Sequence, residues 1–258
     1  MLKENELFCF KKQMVLFALS IAPGIAISLY FFFRDEYNRE PRMHLLISFF
    51  LGMLSGLIAL IMETAGLAVL EGTLAPGILS VAIKAFIIVA FSEEWAKYIM
   101  VRRYAFPKKA FDEPFDGIVY SVMVSMGFAT LENIGYVMEY GFSTAIVRMF
   151  LSVPAHACFA VLMGYYLGKA KFEHDTKRMH IWKGLFAATF FHGCFDFFLF
   201  LQEDGMVAEQ VSNLLLFFGA LASYFIAMYL SRKAIRAHVA TSRELHGPEM
   251  NAGRADMM

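Results

Sequence analysis

The chain has 258 residues, of which 59% are hydrophobic and 18% are charged, and its formal net charge at pH 7 is zero. A neutral chain offers no overall field that would attract nucleic acid, and so little charge is rare in a water-soluble domain of this length. Apolar runs of about 20 residues recur along the whole length, which is the pattern of membrane-spanning segments. We therefore predict a multi-pass protein of the lipid bilayer that binds no nucleic acid.

Seven apolar runs are long enough to cross a bilayer. An open strand cannot satisfy its backbone in lipid, and these runs lack the alternation of barrel strands, so helices are expected. The predicted fold class is all-α, a polytopic transmembrane helical bundle over residues 1–232. Residues 233–258 have little apolar periodicity and are expected to form a mostly disordered cytoplasmic tail. The seven predicted spans are 14–33, 43–69, 76–100, 115–138, 144–168, 181–201 and 206–230.

Positively charged residues alternate between the connections. The connections after the first, third and fifth runs carry residues such as Arg39, Arg102 and Lys171, whereas the connections near 70–75 and 139–143 carry neither Lys nor Arg. By the positive-inside rule, the basic connections face the cytoplasm. Seven spans then place the N-terminus outside, unless residues 1–13 form an interfacial helix or the first span is re-entrant.

Ionisable side chains inside the predicted spans are the main functional signal, because charge in lipid is costly. Glu93 and Lys97 are four residues apart, and so are His192 and Asp196, so each pair shares one helix face. Counted from the basic connections, Glu93 and His192 lie about 14 Å deep. The other ionisable residues within spans are Glu63, Lys84, Glu94, Glu132, Arg148 and His156.

The same count places His156 and Asp196 about 20 Å deep and leaves Glu132 as an outlier at about 26 Å. Arg148 is expected to lie near the outer interface or to pair with an acid such as Glu132. Carboxylates and imidazoles from several helices could therefore meet, and together they form the ligand set of a catalytic zinc with a bound water. A metal-free site is equally open, because a glutamate in a low-dielectric surrounding can itself activate water.

Structural interpretations compete with these functional ones. Glu93 and Lys97 could form only an intrahelical ion pair, and His156 could bond the backbone carbonyl that Pro154 frees. The phenylalanines are expected to face lipid or to pack. The alternative function is a proton-coupled carrier or a membrane sensor. Its relay would spread acids across the full depth, whereas a hydrolase would gather them around one point.

Five stretches of the sequence resemble one family, the PrsW intramembrane proteases. SEEWAKY (92–98) resembles the EExxK motif of that family, and FDGIVYSVMVSMGFATLENIGY (115–136) resembles its most recognisable block. APGIAISLYFFFRDEYNREP (22–41), PAHACFAVLMGYYLGKAKF (154–172) and HGCFDFFL (192–199) are similar too, in the family's order. The sequence contains none of the motifs HExxH, GxGD and G-x-S-x-G of other peptidases.

The resemblance implies a multi-pass protease of the bacterial cytoplasmic membrane. Its implied partner and substrate is a single-span anti-sigma factor, which is cut first on its outer side in a stress response. The family is distantly similar to the CAAX prenyl endopeptidases, and by motif Glu93 and Glu94 match the essential glutamate pair and His192 the late histidine. Glu132 stands where those distant relatives place a histidine. The family is commonly classed with metallopeptidases, so zinc is the expected cofactor.

Residues and resemblance together predict an intramembrane endopeptidase in which water attacks the scissile peptide carbonyl. Lys97 is expected to hold the glutamate pair charged, and Asp196 to orient His192. The candidate catalytic residues are Glu93, Glu94 and His192. The candidate metal ligands are His156, His192, Glu93, Glu132 and Asp196.

Overall fold

The computed structural model describes the backbone of residues 2–205 and 210–255 and the side chains of residues 10–205 and 210–246. Regular structure within these ranges is helical throughout, which confirms the all-α prediction. Residue 206, where the last predicted span begins, and residues 256–258 of the predicted tail lie outside the described residues. The α-helices are α1 Leu2–Arg34, α2 Arg42–Thr73, α3 Ile78–Ile83, α4 Phe91–Met100, α5 Pro114–Tyr140, α6 Phe142–Phe150, α7 Ser152–Phe172, α8 Lys177–Leu201 and α9 Asn213–Ala255.

Six helical segments of the described chain are long and apolar enough to cross a membrane. The predicted span 144–168 is one of them but bends at Leu151, where α6 gives way to α7. Pro154 explains the bend, because its ring lacks the N–H that would bond the carbonyl of Phe150 and disfavours a straight helix there. The six segments are Phe10–Arg34, Arg42–Thr73, Pro114–Tyr140, Phe142–Phe172, Lys177–Leu201 and Asn213–His246.

The predicted span 76–100 is the remaining helix, and its backbone is irregular. Two π-helical stretches, π1 (Lys84–Ala90) and π2 (Val101–Ala105), join α3 to α4 and extend α4. In each, backbone bonds skip one residue more than in an α-helix, as in the bond from Phe106 N–H to the Val101 carbonyl. Single π turns inside helices occur frequently at functional sites. Here they flank the ten residues that carry the EExxK motif.

Helix α5 lies at the centre of the bundle, against α1, α2 and α7. Its side chains are buried almost continuously from Phe115 to Thr130. Small residues let the neighbouring backbones approach closely. A Cβ atom on Gly127 would meet the Phe49 carbonyl of α2, and one on Gly117 would meet the Gly164 carbonyl of α7. This close packing of small residues is typical of membrane helix pairs.

We expect Gly127→Ala to lower the free energy of unfolding by about 1–3 kcal/mol, because the added methyl group meets backbone that cannot move aside. Gly135→Ala is the matched control on the same helix, since a Cβ there has no neighbour within 4 Å. The control should be neutral or stabilising by up to about 1 kcal/mol. Thermal unfolding of the purified variants in detergent measures both, and equal melting temperatures would contradict the packing argument.

The basic connections lie together at one end of the bundle. Lys171 Nζ donates hydrogen bonds to the Phe106 carbonyl at 2.6 Å and the Lys108 carbonyl at 3.4 Å, so the end of α7 is tied to the connection before α5. Arg34, the last residue of α1, and Arg236, within α9, line one surface pocket. This grouping agrees with the positive-inside assignment, and the orientation relative to the cytoplasm stays a prediction.

Helix α9 continues where the sequence predicts a mostly disordered tail from residue 233. Its backbone is helical to Ala255, and the buried Ser242 donates a hydrogen bond to Glu113 Oε1 at 2.9 Å. His238, also buried, stacks on Tyr165 of α7 with ring centroids 4.4 Å apart. These long-range contacts explain the difference, because a helix with weak apolar periodicity can still be held by tertiary packing. The division of the chain into two domains at residue 232 stays a prediction.

Candidate active site

Helix α4 directs three charged side chains to one buried point. Lys97 Nζ donates to Glu93 Oε2 at 3.0 Å and to Glu94 Oε1 at 2.8 Å. The i,i+3 and i,i+4 spacings place both carboxylates beside the ammonium group. Glu93 is 5% exposed, Glu94 1% and Lys97 2%. The ion pair is therefore formed within the protein interior, where a charged group needs a partner.

Helix α8 contributes His192 from the opposite side of this point. His192 Nδ1 lies 3.0 Å from Glu94 Oε1, and Nε2 lies 3.2 Å from Asp196 Oδ2 and 3.9 Å from Glu93 Oε2. Both ring nitrogens thus face carboxylate oxygens, which accept hydrogen bonds. This is the hydrogen-bond pattern of a doubly protonated imidazole. Asp196, one turn further along α8, fixes the orientation of the ring.

His156 of α7 joins the cluster to Glu132 of α5. Its Nδ1 lies 3.4 Å from Lys97 Nζ and its Nε2 lies 2.9 Å from Glu132 Oε2. Lys97 can only donate, so Nδ1 accepts and Nε2–H donates to Glu132. Arg148 Nη2 lies 2.8 Å from the same oxygen of Glu132 and completes its surroundings. Both ring nitrogens of His156 thus contact side chains, and not the carbonyl that Pro154 frees, as the structural alternative has it.

Two phenylalanines form walls of the site, although the sequence suggests only lipid contact or packing for them. The Lys97 ammonium lies 3.8 Å from the ring centroid of Phe128, a cation–π contact. Phe159 stacks on His192 with centroids 5.0 Å apart and an interplanar angle of 16°. Helical spacing is the signal that could have identified them, since Phe128 precedes Glu132 by four residues and Phe159 follows His156 by three.

Glu132, the outlier of the depth count unless its helix is tilted or starts late, contacts His156 directly. That count assumes straight helices that all begin at the same level, and it ignores the reach of long side chains. Glu63 of α2, to which the sequence assigns no role, lies within electrostatic range of Glu132, Lys97 and His192. All the sequence-predicted site residues are thus near one point, and they come from α4, α5, α7 and α8.

The donor set can be tested for metal binding. Glu93, Glu94, His156 and His192 each offer one ligand atom, and these atoms lie within 4.8 Å of one another. Glu94 Oε2 is also buried without a hydrogen-bond partner. Two imidazoles and two carboxylates suit zinc, with one carboxylate to spare as a base. The ammonium of Lys97 contacts three of the four donors, so it would compete with a metal for them.

A buried cluster of carboxylates, imidazoles and one ammonium group in a membrane bundle is the kind of site that a membrane-embedded hydrolase needs. Comparison with known proteins agrees with this class. The chain belongs to the PrsW family of intramembrane metalloproteases, whose sequence profile matches residues 40–229. Family membership and the six candidate spans confirm the prediction of a multi-pass peptidase of the bacterial cytoplasmic membrane.

The curated relatives are bacterial and carry the name protease PrsW. The relative from Geobacillus kaustophilus is 42% identical over 188 residues, which cover 73% of this chain and 81% of the relative. That from Bacillus subtilis is 40% identical over 180 residues, covering 69% and 80%. That from Halalkalibacterium halodurans is 33% identical over 218 residues, covering 84% and 99%. No solved structure matches the chain. The distant similarity to CAAX prenyl endopeptidases stays a prediction.

Proposed function

We propose that this protease hydrolyses a peptide bond in a single-span membrane protein, an anti-sigma factor, as the first (site-1) cleavage of a stress response. The observation that carries the proposal is the convergence of Glu93, Glu94, His156 and His192 on one buried point. Family membership supports peptide hydrolysis in the membrane. The choice of an anti-sigma factor rests on the resemblance of the sequence motifs to that family.

The geometry does not favour a proton relay. A relay would distribute acids across the bilayer, as sequence counting suggests for Glu132. Instead, Glu93 and Glu94 share the ammonium of Lys97, and Glu132 is one imidazole away, through His156. Acids gathered around one point suit a reaction in which one bond is attacked and broken there.

The two glutamates have different surroundings, and we assign them different roles. Glu94 Oε1 accepts from both Lys97 and His192, whereas Glu93 accepts a single hydrogen bond and is the more exposed of the two. A carboxylate stabilised by fewer donors is the better proton acceptor. Glu93 is therefore the base that takes a proton from the attacking water, and Glu94 anchors Lys97 and His192.

Bond formation and cleavage then follow from the remaining groups. As the water oxygen bonds to the scissile carbonyl carbon, negative charge develops on the carbonyl oxygen, and Lys97 supplies a buried positive charge against it. His192 bears a proton that it can give to the leaving amine as the C–N bond breaks. Asp196 and Glu94 keep the His192 ring in place during this transfer.

Zinc is proposed as the cofactor, in agreement with the donor set. Glu94, His156 and His192 would hold it once Lys97 Nζ has given up its contacts with Glu94 and His156 and His192 has lost one of its two ring protons. The leaving amine would then receive its proton from Glu93, which has taken it from the water. A bound zinc would supply a water of pKa about 7 and would polarise the scissile carbonyl. Glu93 keeps the same role as proton acceptor with or without it.

Reconstituted cleavage tests the function. Purified protein in liposomes with a single-span anti-sigma factor should yield two fragments, with the cut located by mass spectrometry. His192→Ala should reduce the rate by at least about 100-fold, whereas Glu139→Gln, an exposed acid on α5, should match the wild type. Equal rates for His192→Ala and the wild type would contradict the site. Cleavage of other single-span proteins but of no anti-sigma factor would contradict the proposed substrate and leave the proposed peptidase activity standing.

A further inference from the structure

A second group of buried carboxylates lies outside the candidate active site, at the basic end of the bundle. Asp35 follows the last residue of α1, while Glu113 caps the N-terminus of α5 and Asp116 closes its first turn. They are 2%, 0% and 0% exposed. One oxygen from each lies within 4.8 Å of the others. The hydrolysis described above uses none of them.

Each of the three carboxylates is oriented through one of its oxygens. Asp35 Oδ2 accepts the backbone N–H of Glu40 at 3.0 Å, and Asp116 Oδ2 accepts that of Glu113 at 2.8 Å. Glu113 Oε1 accepts the hydroxyl of Ser242 at 2.9 Å. Hydrogen bonds of this kind hold metal-ligating carboxylates in place.

The other oxygen of each carboxylate accepts no hydrogen bond from the described part of the chain, although Glu113 Oε2 lies 3.3 Å from His246 Nε2. Asp35 Oδ1, Glu113 Oε2 and Asp116 Oδ1 are shielded from solvent and have no hydrogen-bond partner among the described residues. A buried carboxylate oxygen without a partner is costly, and Asp35 Oδ1 and Asp116 Oδ1 together need a compensating ligand. The free oxygens are the observation that distinguishes this group from an ordinary acidic surface cluster.

Positive charge near the group is sparse. His246 Nε2 lies 3.3 Å from Glu113 Oε2 at the outer edge, and Arg39 bonds the backbone carbonyl of Asp35 instead of its carboxylate. A fourth acid, Glu40, lies nearby and accepts the Tyr120 hydroxyl. Burial raises the pKa of Asp35 to about 7, where the charges of Glu113 and Asp112 act in the same direction. Burial also raises the pKa of Glu113 to about 7. The group is therefore neutralised either by protons or by a cation.

We propose that Asp35, Glu113 and Asp116 bind a divalent cation that prefers oxygen ligands, of the class of Mg²⁺ and Ca²⁺. Carboxylates are the preferred ligands of these ions. Ligand oxygens about 2.1–2.5 Å from one ion lie about 3–5 Å from one another, which the observed spacing satisfies. The ion would join the α1–α2 connection to the start of α5 and, through Glu113 and Ser242, to α9. It would thereby fix the helix that carries Glu132.

Mn²⁺ is the probe for this site, because its electron paramagnetic resonance signal distinguishes free from bound ion. The full chain, stripped of metal and placed in nanodiscs, should show saturable Mn²⁺ binding that Mg²⁺ or Ca²⁺ displaces. Asp35→Asn and Asp116→Asn should each weaken this binding at least about tenfold. Two variants should leave it unchanged: Asp112→Asn, an exposed neighbouring acid, and His192→Ala, which alters the active site.

The outcomes separate this proposal from the proposed function, because binding is read without cleavage. The proposal would be overturned if Asp35→Asn and Asp116→Asn left Mn²⁺ binding intact. It would also be overturned if His192→Ala alone removed the binding. If the asparagine variants fail to fold, the wild type decides, since Mg²⁺ or Ca²⁺ should raise its melting temperature. An unchanged melting temperature, together with an infrared band of protonated carboxyl groups that persists at saturating Mg²⁺, would show that protons neutralise the three carboxylates. This outcome would overturn the proposal.

Discussion

Lys97→Met is expected to abolish cleavage and to lower the free energy of unfolding by about 3–5 kcal/mol. Methionine has a similar length but no charge, so Glu93 and Glu94 would be left as buried carboxylates without the ammonium that both contact. Breaking a buried ion pair by removing one partner costs more than the pair contributes, because the remaining charge stays desolvated. Denaturant titration in mixed micelles measures the change.

Two further variants make the Lys97 prediction specific. Combining Lys97→Met with Glu93→Gln and Glu94→Gln should recover much of the lost stability without restoring cleavage, since no buried charge is then unpaired. Lys84→Met is the matched control, because Lys84 is 33% exposed and lies 3.9 Å from the exposed Glu203. It should change stability by less than about 1 kcal/mol. A Lys97→Met variant as stable as the wild type would show that the glutamates are not charged.

Glu93→Gln and Glu94→Gln should both abolish cleavage, but they should differ in bound metal. Glu93→Gln removes the base, so the cleavage rate should fall by about 100- to 10,000-fold while zinc content and stability stay near those of the wild type. Glu94→Gln should in addition release zinc and destabilise the fold, because Lys97 and His192 lose the carboxylate oxygen to which both donate. Cleavage rates in liposomes and elemental analysis of the purified variants give both quantities.

Chelation provides the complementary test of the same site. Treatment with a strong chelator should stop cleavage by the wild type, and added zinc should restore it in the wild type and in the exposed control Glu139→Gln. Undiminished cleavage by a zinc-free wild type would contradict the proposal that cleavage requires zinc. It would leave Glu93 as a base that acts on water directly, with Lys97 as the positive charge beside it.

Much of the site could be predicted because its charges lie in apolar surroundings. Counting from the basic residues predicts the same depth for Glu93 and His192, and the structure places His192 Nε2 3.9 Å from Glu93 Oε2. Glu132 could not be placed in this way. Its contact with His156 depends on where α5 begins and how it crosses α7, and a count along one helix contains neither quantity.

Other features were hidden because they arise from packing between distant parts of the chain. Nothing in residues 84–90 marks a π-helical stretch, and only the helical spacing of Phe128 to Glu132 and of Phe159 to His156 distinguishes the aromatic walls from other phenylalanines. The helical continuation after residue 233 contacts distant parts of the chain, through Ser242 on Glu113 and His238 on Tyr165. The sequence of that segment shows only weak apolar periodicity, which does not reveal these contacts.

The π-helical stretches π1 and π2 also alter how positions along the helix from Ile78 to Ala105 should be compared. An α-helix advances about 100° per residue, so each wider turn delays the angular phase by about one residue. A helical wheel drawn without interruption from Ile78 to Ala105 would therefore rotate Glu93 and Lys97 away from their true direction and assign lipid-facing labels to interior residues. Cysteine-labelling or cross-linking probes for this protease should be designed separately for Ile78–Ile83 and for Phe91–Met100.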